Sequence, residues 1–156
     1  MEKTSIKGVA KDDNVARISL IGLEDTPGIA FKIFNKLAQH KINVDIILQS
    51  VGRDGTKDIT FTVPKDQVKQ VLEATESLKN ILTFKDVSID ETVCKISIVG
   101  AGMESHPGVA AKMFEALSDA GINIQMISTS EIKISVLIDA KYADKAVTAV
   151  HDKFVD

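Results

Sequence analysis

The chain repeats itself, and this constrains its fold more than any other feature. Arg17-Ile-Ser-Leu-Ile-Gly22, Pro27-Gly-Ile-Ala30, Phe34, Leu37 and Ile42-Asn43 return in the same order about eighty residues later. Their counterparts are Lys95-Ile-Ser-Ile-Val-Gly100, Pro107-Gly-Val-Ala110, Phe114, Leu117 and Ile122-Asn123. A duplication of this length means one architecture used twice and one kind of site built twice. The 156 residues hold two modules of roughly 70–80 residues, each marginal alone and expected to share surface with a neighbour.

Hydrophobic periodicity gives the element order. Ala16, Ile18 and Leu20 alternate with Arg17 and Ser19 as a strand does. The strand is expected to stop near Gly22, with Pro27 in the first turn of a helix that turns Ala30, Ile33, Phe34 and Leu37 inward. Ile42–Leu48 reads as a second strand, Gly52-Arg-Asp-Gly55 as a turn, and Ile59, Phe61 and Val63 as the inward side of a third. Asp66 is a plausible cap for a helix facing Val68, Val71, Leu72 and Leu78 inward. An extended stretch at 83–90 completes βαββαβ.

The second copy begins at Val93, with Gly121 as the left-handed residue closing its first helix. Ile124–Ser128 and Ile132–Ile138 form its hairpin, and Ala143, Ala146, Val147, Val150 and Phe154 line its second helix. It then lacks a fourth strand, which the short extended segment around Ile6–Val9 is predicted to supply. The expected fold class is α+β. It has two ferredoxin-like βαββαβ modules, each an antiparallel sheet with helices on one face. The expected division is 1–14 as a connecting strand, 15–91 as module 1 and 92–156 as module 2.

Composition narrows the function. Net charge is −3 and aromatics are 4%, so a polyanion partner is disfavoured. An RNA-binding module of the same topology would need aromatics on its central strands; Ile59-Thr-Phe-Thr-Val and Ile132-Lys-Ile-Ser-Val share one. Cys94 cannot form an internal disulfide and reads as a small buried thiol. No secretory signal and no run of eighteen apolar residues is seen, so the expected location is the cytoplasm, with no membrane or nucleic-acid partner.

No P-loop, nucleophile elbow or metal-ligand spacing is present. No catalytic residue, metal or cofactor is therefore expected. Gly100-Ala-Gly102 is close to a dinucleotide fingerprint, but Ser105 stands where the third glycine belongs and the topology is wrong. The shared candidate is the loop before each first helix: Glu24-Asp25-Thr26-Pro27-Gly28 and Glu104-Ser105-His106-Pro107-Gly108. A helix N-terminus offers amide N–H groups to a carboxylate, and Asp25 offers an anion to an ammonium. An amino acid carries both groups.

Asp25-Thr-Pro-Gly28, Ile42-Asn-Val-Asp45, Leu48-Gln49 and Ile59-Thr-Phe-Thr62 resemble the first ACT module of aspartate kinases. Val99-Gly-Ala-Gly-Met103, Ser105-His-Pro-Gly-Val109, Ile122-Asn-Ile124 and Ile127-Ser-Thr-Ser-Glu-Ile-Lys-Ile-Ser-Val136 resemble the second. The resemblance covers essentially the whole chain. It implies a regulatory piece, whether subunit or fragment, of an enzyme that phosphorylates aspartate with ATP. That piece is expected to be a homodimer that senses threonine, lysine or both, and to act on a kinase catalytic domain or subunit.

Carried onto this sequence, the resemblance implies a threonine-type site of Asp25, Pro27, Gly28, Ile29, Ala30 and Gln49, completed by Asn123 and Ile124. A second, lysine-type site would use Ser105, His106, Pro107, Gly108, Val109 and Ala110 with Asn43, Val44, Thr129, Ser130 and Glu131. The competing reading is a free-standing ACT sensor that regulates another enzyme or transcription. Such a sensor has no reason to carry Ser128-Thr-Ser-Glu131.

Overall fold

The computed structural model describes residues 6–52, 54–100 and 108–154. The predicted residues Ser105, His106 and Pro107 lie outside these. The chain divides into two compact units, Asn14–Glu91 and Thr92–Asp156 with the N-terminal strand.

In the first unit the order is β2 (Ala16–Glu24), α1 (Ile29–Gln39), β3 (Ile47–Val51), β4 (Thr56–Val63), α2 (Val68–Leu78) and β5 (Asp86–Asp90). The strands form one antiparallel sheet in the order β3-β4-β2-β5. Ile18, Leu20, Ile59 and Phe61 project from one face and meet Ile29, Ile33 and Leu37 of α1 and Val71, Ala74 and Leu78 of α2. Phe34 packs edge-on against Phe61, with ring centroids 5.7 Å apart.

The second unit contains β6 (Val93–Gly100), α3 (Val109–Asp119), β7 (Met126–Thr129), β8 (Lys133–Asp139) and α4 (Ala143–Phe154). With the N-terminal strand β1 (Ile6–Asp12) its sheet runs β1-β6-β8-β7. β1 pairs antiparallel with β6, from Ile6↔Gly100 to Asp12↔Lys95, where β5 stands beside β2 in the first unit. The predicted loan of the N-terminal strand is thus what the sheet contains. Cys94 lies fully buried in this core, and burial pushes its thiol up to about 12.

Several expectations need correction. β2 does not stop at Gly22 but passes through a bulge between Leu20 and Leu23 and continues to Glu24. Pro27 precedes the helix instead of opening it, because Gly28 takes the N-cap position. Ala30 is exposed; the buried stripe of α1 starts at Ile29. Asp66 caps nothing: a 3-10 turn at Lys65–Gln67 intervenes, and Gln67 precedes α2. Leu72 is 48% exposed, since Val71, Ala74, Thr75 and Leu78 already define the inward stripe.

The second strand of each module starts late. Ile42 and Ile46 are buried, yet the strand is Ile47–Val51; likewise Ile124 and Gln125 precede β7. The apolar residues after α1 close the helix instead. Lys41 donates its N–H to Ala38 (2.9 Å) and Ile42 donates to Leu37 (3.0 Å), a Schellman arrangement. The second unit repeats it with Gly121 to Ser118 and Ile122 to Leu117, each 2.9 Å.

The residue at the turn is left-handed in both, Lys41 at φ 57° and Gly121 at φ 73°. Lysine pays a steric cost there that glycine avoids. Lys41→Gly is expected to raise the stability of the first module by about 0.5–1 kcal/mol, measured by thermal unfolding. A loss of that size would contradict the assignment.

Candidate functional site

The first helix of each module starts directly after a glycine, and in the first module a short loop leads to it from the end of β2. Gly28 and Gly108 adopt φ 94° and 100° as N-caps, a conformation costly for residues with a side chain. Neither helix has a side-chain cap or an acidic residue in its first turn. The first turns close through Lys32 N–H to Gly28 C=O (3.0 Å) and Lys112 N–H to Gly108 C=O (2.9 Å). The amides of Ile29–Phe31, and of their counterparts from Val109, therefore have no acceptor within the helix. With the dipole behind them, they suit a small anion.

In the first module this corner is held by the hairpin tip. Asp25 N–H donates to the Gly55 carbonyl (3.1 Å), and Gly22 N–H donates to the Asp58 carboxylate (2.9 Å). The Asp25 carboxylate lies 3.4 Å from the Lys57 ammonium. Lys57 stands on β4 opposite Val51, and Gln49 opposite Ile59. Paired residues share a face, so Gln49, Lys57 and Ile59 lie on the helix side of the sheet. Gln49 is exposed on the edge strand whereas Lys57 is 7% exposed. Asp25, Gln49, Lys57 and the start of α1 thus gather at one end of the module.

Lys57 was not among the predicted site residues. The sequence does carry a signal for it. Lys57, Ile59, Phe61 and Val63 are successive inward positions of one strand, and a lysine there has to bury its ammonium.

The second module brings Gly108, Val109 and Ala110 to the same end as Thr129, Ser130 and Glu131, because β7 runs as β3 does. All three of the latter are exposed, and Ser130 N–H donates to the Lys133 carbonyl at 2.8 Å.

The asparagines lie elsewhere. Asn43 follows the C-terminus of α1, and its backbone N–H donates to Gln67 Oε1 (2.8 Å) beside the start of α2. Asn43 and Val44 are therefore at the opposite end of the sheet from Asp25–Gly28. Asn123 and Ile124 hold the matching place in the second module, where Asn123 borders a cleft of about 250 Å³ with Gln125, Asp139 and Tyr142. Neither module by itself gathers a complete predicted set. Among the described residues, no group of three or more His, Cys, Asp or Glu is placed to hold a metal. No helix there is long and apolar enough to cross a membrane.

Sequence profiles of the ACT domain match residues 17–82 and 96–154. An aspartokinase of Helicobacter pylori is 53% identical over 152 residues, which is 97% of this chain and 37% of that relative. The chain thus spans little more than a third of the curated relatives it matches. Among solved structures, the regulatory subunit of aspartate kinase from Thermus thermophilus in a ligand-free form is 45% identical. It superposes with a TM-score of 0.91 over 96% of this chain and 99% of that one. A structure of aspartokinase alpha and beta subunits contains a chain 48% identical, with a TM-score of 0.89 over the same shares. The chain belongs to the aspartate kinase family, of which it is the tandem ACT regulatory region.

Proposed function

We propose that this chain is the amino-acid sensor of an aspartate kinase, binding threonine, lysine or both as end-product inhibitors. The supporting observation is the pair of glycine-started helices without side-chain caps, one per module, the first of them preceded by Asp25 paired with Lys57. An effector carboxylate would sit on the amides from Ile29 or Val109. In the first module Asp25 would receive the ammonium and Gln49 a side-chain hydroxyl. In the second, Ser105, His106 and Pro107 would join Gly108, Val109 and Ala110, and Glu131, with Thr129 and Ser130, would answer a cationic side chain.

Asn123 with Ile124, and Asn43 with Val44, would close these sites from a neighbouring module, since each pair lies at the far end of its own sheet. The neighbour would be the other module or that of a second copy in a homodimer. The edge strand β3 leaves Ile47, Leu48 and Val51 exposed, which favours such pairing. Effector binding would then stabilise one arrangement of modules in which a cytoplasmic kinase catalytic domain or subunit is less active.

Asp25→Ala and Gln49→Ala are each expected to weaken one of the two amino acids by about tenfold or more and spare the other. Calorimetric titration measures this. Equal weakening of both would contradict the separation into two sites.

A further inference from the structure

We propose that Lys57 sets the charge selectivity of the first-module effector site, favouring amino acids with uncharged side chains over cationic ones. The inference rests on the effector reading above and names what that site accepts. Lys57 is the one charged side chain among the described residues that is buried, at 7% exposure. Its ammonium lies 3.4 Å from Asp25, in the loop ahead of α1. Its strand neighbours on that face are Ile59 and, across the ladders, Leu23 and Val51.

The fold does not require a charge at this place. Counting along the hairpin from the paired hydroxyls, Ser19–Thr60 in one module and Ser97–Ser135 in the other, puts Ile132 where Lys57 stands. The second module has an aliphatic residue at that count, 56% exposed and just ahead of β8, so the hairpin is built there without a buried charge. Burying an ammonium is costly, so its use in one copy and not the other points to a role beyond packing.

The electrostatics follow directly. An amino-acid zwitterion brings one anion for the helix amides and one cation for Asp25. Asp25 and Lys57 sum to zero, so this ion pair offers no net negative charge to a second cation. A cationic side chain would add like-charge repulsion from an ammonium held in an apolar wall. At roughly 7 Å, across an interior of reduced dielectric, that repulsion is worth about tenfold in affinity or more. In the second module Glu131 is unopposed by any lysine at the matching place, so the preference is reversed.

The test titrates the full chain with lysine and with threonine by calorimetry, in wild type, Lys57→Met and Lys57→Arg. The first-module site is identified as the one weakened by Gln49→Ala. Lys57→Met is expected to improve lysine relative to threonine at that site by about tenfold or more, while Lys57→Arg keeps the wild-type ratio. Equal changes for both amino acids, or identical behaviour of the two variants, would overturn the proposal and leave Lys57 a structural residue.

Thermal unfolding of Lys57→Met guards against a folding defect: a variant that melts as the wild type does and still leaves the lysine-to-threonine ratio unchanged overturns the proposal. A folded wild-type chain that binds neither amino acid overturns the effector reading itself.

Discussion

Deletion of residues 1–12 is expected to unfold the second module while the first keeps its own cooperative transition. β1 supplies the outer strand beside β6, with six registered pairs from Ile6↔Gly100 to Asp12↔Lys95. Val9 packs against the second core, and the Lys11 ammonium reaches Asp144 of α4 at 3.1 Å. The Lys11 pair is exposed and contributes little. The ladder and the apolar contact dominate. A handful of edge hydrogen bonds at about 0.5–1.5 kcal/mol each, with roughly 2 kcal/mol for Val9, approaches the whole stability of a small domain.

Deletion also leaves β6 with an open edge, which promotes aggregation. Amide hydrogen exchange would show lost protection in β6, β7 and β8 but not in β2 and β4. Unchanged protection in β6 would refute the structural role of β1.

The second large effect concerns binding. Gly28→Asp is expected to abolish effector binding at the first module, by a hundredfold or more, with a stability loss of only about 1–2 kcal/mol. Asp tolerates the left-handed region better than most residues and is favoured at helix N-caps, and a Cβ at Gly28 meets no atom within 4 Å. The new carboxylate would, however, stand where the proposed effector carboxylate binds. Equilibrium binding and thermal unfolding of the same variant separate the two effects. Retained binding would show that the start of α1 is not the anion site.

Much of this was legible from the residues. The duplication, the βαββαβ order and the missing strand of the second copy follow from alternation and helical spacing, because each module has one buried face. What escaped lies where one residue serves two elements. Ile42 and Ile46 look like a strand but finish a helix and anchor a loop. Leu72 looks buried, yet Ala74 and Thr75 already fill the stripe. Asp66 has the chemistry of a cap, but a 3-10 turn shifts the helix start to Val68.

At the site, periodicity identifies the glycines and Asp25, since they punctuate elements. It does not show that Asn43 and Gly28 fall at opposite ends of one sheet. That emerges only from the strand directions. Lys57 was missed because a lysine is normally read as solvated, although its phase within β4 is inward.

The proposed function requires that this chain bind an end-product amino acid. Its most direct test is calorimetric titration of the intact chain with threonine and lysine, separately and together. Saturable binding of at least one is expected, with the second still binding its own site when both are effectors. A well-folded chain, dimeric or not, that takes up neither would contradict it.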